Sequence, residues 1–113
     1  MCKVSVLVPI YNVSTYLEQC LSSLAAQDLQ DMEIICLNDG STDDSGDIAH
    51  NFAARDKRFS VIDKENSGYG KNMNLGLSLA KGEYVGIVES DDFVEPDMFS
   101  SLYELAETHQ AEV

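Results

Sequence analysis

Apolar residues along this chain follow two rhythms. Four short runs are apolar on consecutive positions and rich in β-branched residues: Lys3–Pro9, Glu33–Asn38, Phe59–Asp63 and Tyr84–Glu89. Runs apolar on both faces suit parallel strands covered by helices. Elsewhere the apolar positions return at helical spacing. Leu17, Cys20, Leu21 and Leu24 stand at i, i+3, i+4 and i+7, and Thr15 with Glu18 predicts a capping box at that helix's start. A second helix turns Ile48, Ala49, Phe52 and Ala53 inward, with Ser41 or Thr42 as its cap and Asp43, Asp44 and Asp47 near its positive end. Met73, Leu77 and Ala80 line a third, which Gly82 ends. Pro96 opens a fourth, ahead of Met98, Leu102, Leu105 and Ala106.

Strand–helix alternation with short connections predicts an α/β fold with right-handed crossovers. The expected form is a Rossmann-like, mostly parallel sheet with helices on both faces. No repeat, low-complexity tract or linker interrupts the 113 residues, so residues 1–113 read as a single domain.

Composition narrows the functional classes. With 44% hydrophobic and 24% charged residues the chain has enough apolar content to fold. Seven basic against twenty acidic residues give a formal charge of −13, which excludes a nucleic-acid footprint and a polybasic membrane contact. Most of that acidity reads as solvated surface. An acidic protein that handles a phosphorylated ligand nevertheless needs a cation between the two negative partners. Cys2, Cys20 and Cys36 lack metal-like or paired spacing, and a reduced, cytoplasmic protein is expected. No signal-peptide core follows the start, and no apolar stretch approaches the roughly 18 residues of a membrane span. A membrane-peripheral attachment elsewhere in a full-length protein stays open. His50 and His109 read as isolated surface residues, and Tyr16, Tyr84 and Tyr103 as packing residues.

Ligands of such sheets bind beyond the carboxyl ends of the strands, and every strand here ends in unusual residues. Pro9, which cannot donate to the sheet, and Tyr11, a flat ring with a polar tip, follow the first. Asn38-Asp39-Gly40-Ser41 follows the second; the Asp39 carboxylate can accept from a base edge or sugar hydroxyl, or close an Asx turn. Asn66-Ser67-Gly68-Tyr69-Gly70-Lys71 follows the third, with glycines that let backbone amides approach a phosphate and Lys71 to supply charge. It matches neither standard phosphate-loop pattern, and a plain surface loop is the competing reading. The fourth strand delivers Glu89-Ser90-Asp91-Asp92. Clustered carboxylates after an apolar strand call for a hard cation, Mn²⁺ or Mg²⁺, unless they form a solvated acidic turn.

Taken in order, Val4 to Asn12, Asn38-Asp39-Gly40-Ser41, Asn66-Ser67-Gly68, Asn74-Leu75-Gly76 leading to Ala80-Lys81-Gly82-Glu83-Tyr84, and Ser90-Asp91-Asp92 resemble glycosyltransferase family 2, of GT-A fold. The resemblance covers nearly the whole chain, as the nucleotide-sugar-binding half of such a domain. It implies a nucleotide-diphosphate sugar donor, in many members a UDP-sugar. By that resemblance Pro9 and Tyr11 border the base, Asp39 accepts a hydrogen bond from it, Asp91 contacts the ribose and Asp92 ligands the metal. Glu89 stands where many relatives carry the first aspartate of a D-x-D arrangement, and Glu89 and Asp91 are further metal candidates. Lys71 is the candidate for the diphosphate; Met73 stands where many relatives carry an arginine. The implied reaction is inverting transfer to a saccharide or lipid-linked hydroxyl acceptor in polysaccharide biosynthesis. The catalytic base is expected beyond residue 113, so this piece alone is expected to bind donor without efficient transfer, and an exposed apolar face to favour a homodimer. Two alternatives are a receiver-like phosphoacceptor domain and a non-catalytic binding module. The first would place its acidic pair after the first strand, where this chain has Tyr11-Asn12.

Overall fold

The central element is β1 (Val4–Ile10), all seven residues of which are buried. The computed structural model describes residues 2–109. β1 pairs in parallel with β2 (Met32–Asp39) on one side and β4 (Tyr84–Ile87) on the other, and β3 (Phe59–Lys64) pairs with β2. The order β3-β2-β1-β4 makes a four-stranded parallel sheet. Helices α1 (Ser14–Ala25), α2 (Ser45–Arg55), α3 (Tyr69–Leu79) and α4 (Met98–His109) follow the strands in turn.

Side-chain alternation along β1 sorts the core into two layers. Val4, Val6, Val8 and Ile10 meet Leu17, Cys20, Leu21 and Leu24 of α1, together with Phe52 of α2 and Phe99 of α4. Leu7 points the other way and joins Ile35, Leu37 and Met73 of α3. Helices therefore cover both faces, as the doubly wound pattern requires. Burial pushes the Cys36 thiol up to about 12, with a smaller contribution from Cys20, so Cys36 behaves as a small hydrophobe.

Several local expectations are corrected. The cap of α1 is Val13, without a side-chain cap bond, and Thr15 and Glu18 lie inside the helix. Its first amides are satisfied across the fold instead: Val13 N donates to Ser45 Oγ at 3.0 Å and Ser14 N to Asp43 Oδ2 at 3.1 Å. The cap of α2 is Asp44, not Ser41 or Thr42. Leu77 is 52% exposed and Ala80 follows the end of α3; Gly76 is the residue that meets the sheet, so close that a Cβ there would sit 2.6 Å from Leu37. Gly82 does not stop that helix. It lets the chain cross Ser5, whose hydroxyl accepts from Gly82 N at 2.7 Å. Leu102 and Leu105 of α4 are exposed, and Phe99 and Ala106 form its buried side. The fourth strand is less covered than its apolar sequence suggests, because it is an edge: Ile87 is 48% exposed, although Val88 N still bonds to Leu7 O. Tyr84 and Tyr103 pack edge to face at 5.7 Å, whereas Tyr16 is exposed. His50 is not isolated: its Nε2 lies 2.5 Å from Asp63 Oδ2. The side chain of His109 lies outside the described residues.

Candidate functional site

The carboxyl ends of β1, β2 and β4 open into one cleft of ≈ 330 Å³. Pro9 and Tyr11 contribute from β1, Asp39 from β2, Glu89 and Ser90 from beyond β4, and Asn66, Gly68, Tyr69 and Asn72 from the loop into α3 and its first turn. That volume is within the range of small-ligand clefts. The loops are locked to one another. Asn12 takes a left-handed φ of 50°, which its short polar side chain tolerates. Its Oδ1 accepts from Thr42 N at 2.8 Å and Asp43 N at 3.3 Å, and its own N donates to Ser41 Oγ at 3.0 Å. Gly40, at φ 73°, leaves room for Asn66 N, which a Cβ would meet at 2.7 Å.

Asp39 is the anchor of this wall, and is 4% exposed. Its carboxylate accepts from Ser67 N at 2.8 Å, Gly68 N at 3.1 Å and Ser67 Oγ at 3.3 Å, and forms an ion pair with Lys64. Asn66 Nδ2 donates to its backbone oxygen at 3.0 Å. Burial alone would raise this carboxyl; the Lys64 bond, the two loop amides and the Lys64 charge outweigh it and hold the group below the usual carboxylate value. Lys64 escaped the sequence reading. The β2–β3 register places it directly opposite Asp39, a pairing that shows only once both strand ends are aligned.

The acidic segment after β4 is built differently. Glu89, Asp91 and Asp92 are all exposed. Tyr69, which the sequence did not single out, reaches across the cleft and donates its hydroxyl to Glu89 Oε1 at 2.7 Å. That bond raises the Tyr69 hydroxyl above its usual value, with burial and the Glu89 charge acting in the same direction. The turn is pinned by Asp92 N donating to Glu89 O at 2.9 Å. Asp91 and Asp92 lie just past the cleft lining, and their charges reach α1: burial first, then Asp92 and Asp91, push the Cys20 thiol up to about 12. Lys71 is exposed on α3 and is also outside the lining.

The structure therefore brings Pro9, Tyr11, Asp39 and Glu89 around one space, with Asp91 and Asp92 in the adjoining turn and Lys71 further out. The expectation of a carboxylate metal cluster needs refinement. Among the described residues no three His, Cys, Asp or Glu side chains converge tightly enough to cage an ion. The donor chemistry still fits Mn²⁺ or Mg²⁺, which take oxygen ligands and accept one or two protein carboxylates when ligand phosphates complete the shell. Asp92, with Asp91 and Glu89 beside it, offers that partial set.

Comparison with known proteins gives a consistent family. Residues 5–113 match glycosyl transferase family 2. Over 110 residues the chain is 46% identical to the uncharacterized glycosyltransferase EpsJ of Bacillus subtilis, covering 97% of this chain and 32% of that protein. It is 44% identical to glycosyltransferase GlyG of Streptococcus pneumoniae, covering 97% of this chain and 37% of the relative. TarS 1-349 of S. aureus, solved with UDP, superposes with a TM-score of 0.89 at 32% identity, over 96% of this chain and 33% of that one. A mannosyltransferase from Pyrobaculum calidifontis, solved with GDP-Man and Mn²⁺, gives 0.74 at 26% identity, over 81% and 28%. The chain thus spans little more than a third, or less, of the length of these relatives.

Proposed function

The chain belongs to glycosyl transferase family 2, with a GT-A fold, and on that premise we propose that residues 1–113 act as one unit that binds a UDP-sugar donor through a divalent ion. Membership displaces the receiver-like alternative, whose acidic pair has no counterpart after β1. The observation that supports the reading is the shared cleft, lined by Pro9, Tyr11, Asp39 and Glu89, with Asp91 and Asp92 in the turn that follows Glu89. Tyr11 and Pro9 border the base, Asp39 receives a hydrogen bond from it, Asp91 meets the ribose, and Lys71 swings toward the diphosphate. Asp92 holds Mn²⁺ or Mg²⁺, with Asp91 and Glu89 as neighbours. When bound, the ion neutralises negative charge that grows on the leaving diphosphate.

In the whole enzyme the reaction is inverting displacement. A hydroxyl of a saccharide or lipid-linked acceptor attacks the anomeric carbon, and nucleoside diphosphate leaves. The base that takes the hydroxyl proton belongs to the remaining length that relatives carry, so the 113-residue chain binds donor and turns over little or none. The setting is bacterial surface polysaccharide synthesis on the cytoplasmic side, peripheral to the membrane in the full-length protein. Buried free thiols at Cys20 and Cys36 suit such a reducing compartment. Among the described residues no helix is long and apolar enough to cross a membrane.

Thermal unfolding with UDP and Mn²⁺ tests the donor reading. Ligand at 100 times its dissociation constant stabilises by about 2.7 kcal/mol, and Asp92→Ala removes the metal-dependent share. No shift with any nucleoside diphosphate would overturn it. A second copy of the chain covers the apolar groove at Tyr84, Leu102 and Tyr103, and sedimentation of a monomer at all concentrations would contradict that.

A further inference from the structure

Asn72 closes the first turn of α3, is 2% exposed and lines the cleft. Its Nδ2 donates to Leu37 O at 3.1 Å, which fixes which end of the amide is oxygen. That oxygen, Oδ1, is buried and has no hydrogen-bond partner among the described residues. An acceptor stripped of water and left bare is costly, and an apolar side chain would fill the same place without that cost. The bond to Leu37 O accounts for the nitrogen of this amide and leaves its oxygen unexplained. Leu37 lies opposite Pro9 in the sheet register, so the carboxamide is tethered at the row where β1 opens into the cleft. Asp39, the neighbouring acceptor, already receives Lys64, both Ser67 donors and Gly68 N. Asp39 Oδ2 takes only Gly68 N and keeps room for the base, whereas Asn72 Oδ1 is, among the described residues, the buried side-chain polar atom left without any partner.

We infer that the Asn72 side-chain oxygen recognises the nucleoside part of the ligand, accepting a hydrogen bond from an N–H or O–H donor. The inference rests on the nucleotide reading above and names a residue that reading left unassigned. A diphosphate offers only acceptors and cannot satisfy this oxygen. A uridine nucleotide brings one base imide N–H, given to Asp39 above, and the ribose hydroxyls, which are free to meet Asn72.

Calorimetric titration of the 113-residue chain with UDP and, separately, with Mn²⁺-pyrophosphate tests this, in the natural chain and in Asn72→Ala. UDP affinity falls about tenfold in the variant, while pyrophosphate affinity stays within about twofold and certifies that the cleft is still folded. Among 3-methyl-UDP, 2′-deoxy-UDP and 3′-deoxy-UDP, the analogue lacking the relevant donor binds the natural chain more weakly than UDP. The variant binds that analogue and UDP alike. Unchanged UDP affinity in Asn72→Ala, or an equal loss for UDP and pyrophosphate, overturns the role of Asn72 and leaves the nucleotide reading intact. A natural chain that binds neither ligand overturns both.

Discussion

The carboxylates at the ends of β2 and β4 are the same chemical group in opposite circumstances. Asp39 is 4% exposed and held by Lys64, Ser67 and Gly68, with Oδ2 taking only Gly68 N. Glu89, Asp91 and Asp92 are exposed, and among the described residues their one side-chain partner is the Tyr69 hydroxyl. A buried charge survives only when paired and hydrogen-bonded, so Asp39 fixes the loop around it before any ligand arrives. Neighbouring exposed carboxylates repel and keep their lone pairs free, so the β4 turn has capacity to spare for a cation. One end of the cleft is a finished wall; the other is unfinished by design of its charges.

Breaking the finished wall should do the most damage. Asp39→Ala leaves the Lys64 ammonium, with only 18% of its side chain exposed, without its counter-charge, and should cost about 3–5 kcal/mol in urea unfolding. A loss below about 1 kcal/mol would mean that the loop does not depend on this carboxylate. Acid probes the same wall. Because the folded-state value of Asp39 is depressed, its contribution is complete above the unfolded carboxylate value of about 3.9 and is lost as pH falls through the lower folded value. Asp63, lowered by Asn38 and then His50, and Asp56, lowered chiefly by Arg58, act in the same direction. Stability should therefore drop below about pH 4, and more gently in Asp39→Asn than in the natural chain. Tyr69→Phe removes the exposed link to Glu89 and should cost no more than about 0.5–1 kcal/mol. The smallest effect belongs to the open end: Asp91→Asn with Asp92→Asn should leave stability within about 0.5 kcal/mol, shifted toward stabilisation as repulsion is relieved. A large destabilisation by that pair would erase the contrast between the two ends.

How far these features can be read from the residues depends on how local their causes are. β1 to β3 are legible to within a residue at either end, because continuous apolar runs such as Ile34-Ile35-Cys36-Leu37 suit a strand buried on both faces. The inner face of α1 was equally plain from its spacing. Its cap was not: Asp43 and Ser45 close it from about 30 positions away, and only the assembled fold brings them there. The inner face of α3 is legible at Met73 but not beyond it, because close packing on Leu7 and Leu37 selects Gly76, a residue without apolar signal. At the site, Asp39 and the Glu89–Asp92 turn stood out by charge at strand ends. Lys64 and Tyr69 did not, since their roles arise from strand register and from reach across the cleft. Asn72 was hidden for the same reason; a bare buried oxygen has no trace in a string of letters.

The acidic turn should contribute to binding only once a cation joins it to a pyrophosphate. Titrating UDP and uridine into the chain, in excess Mn²⁺ and again in EDTA, isolates that step. UDP should bind at least about tenfold more tightly with Mn²⁺, uridine should be indifferent to the metal, and Asp92→Ala should bind UDP as weakly in Mn²⁺ as the natural chain does in EDTA. Equal UDP affinity with and without the ion in the natural chain would contradict it.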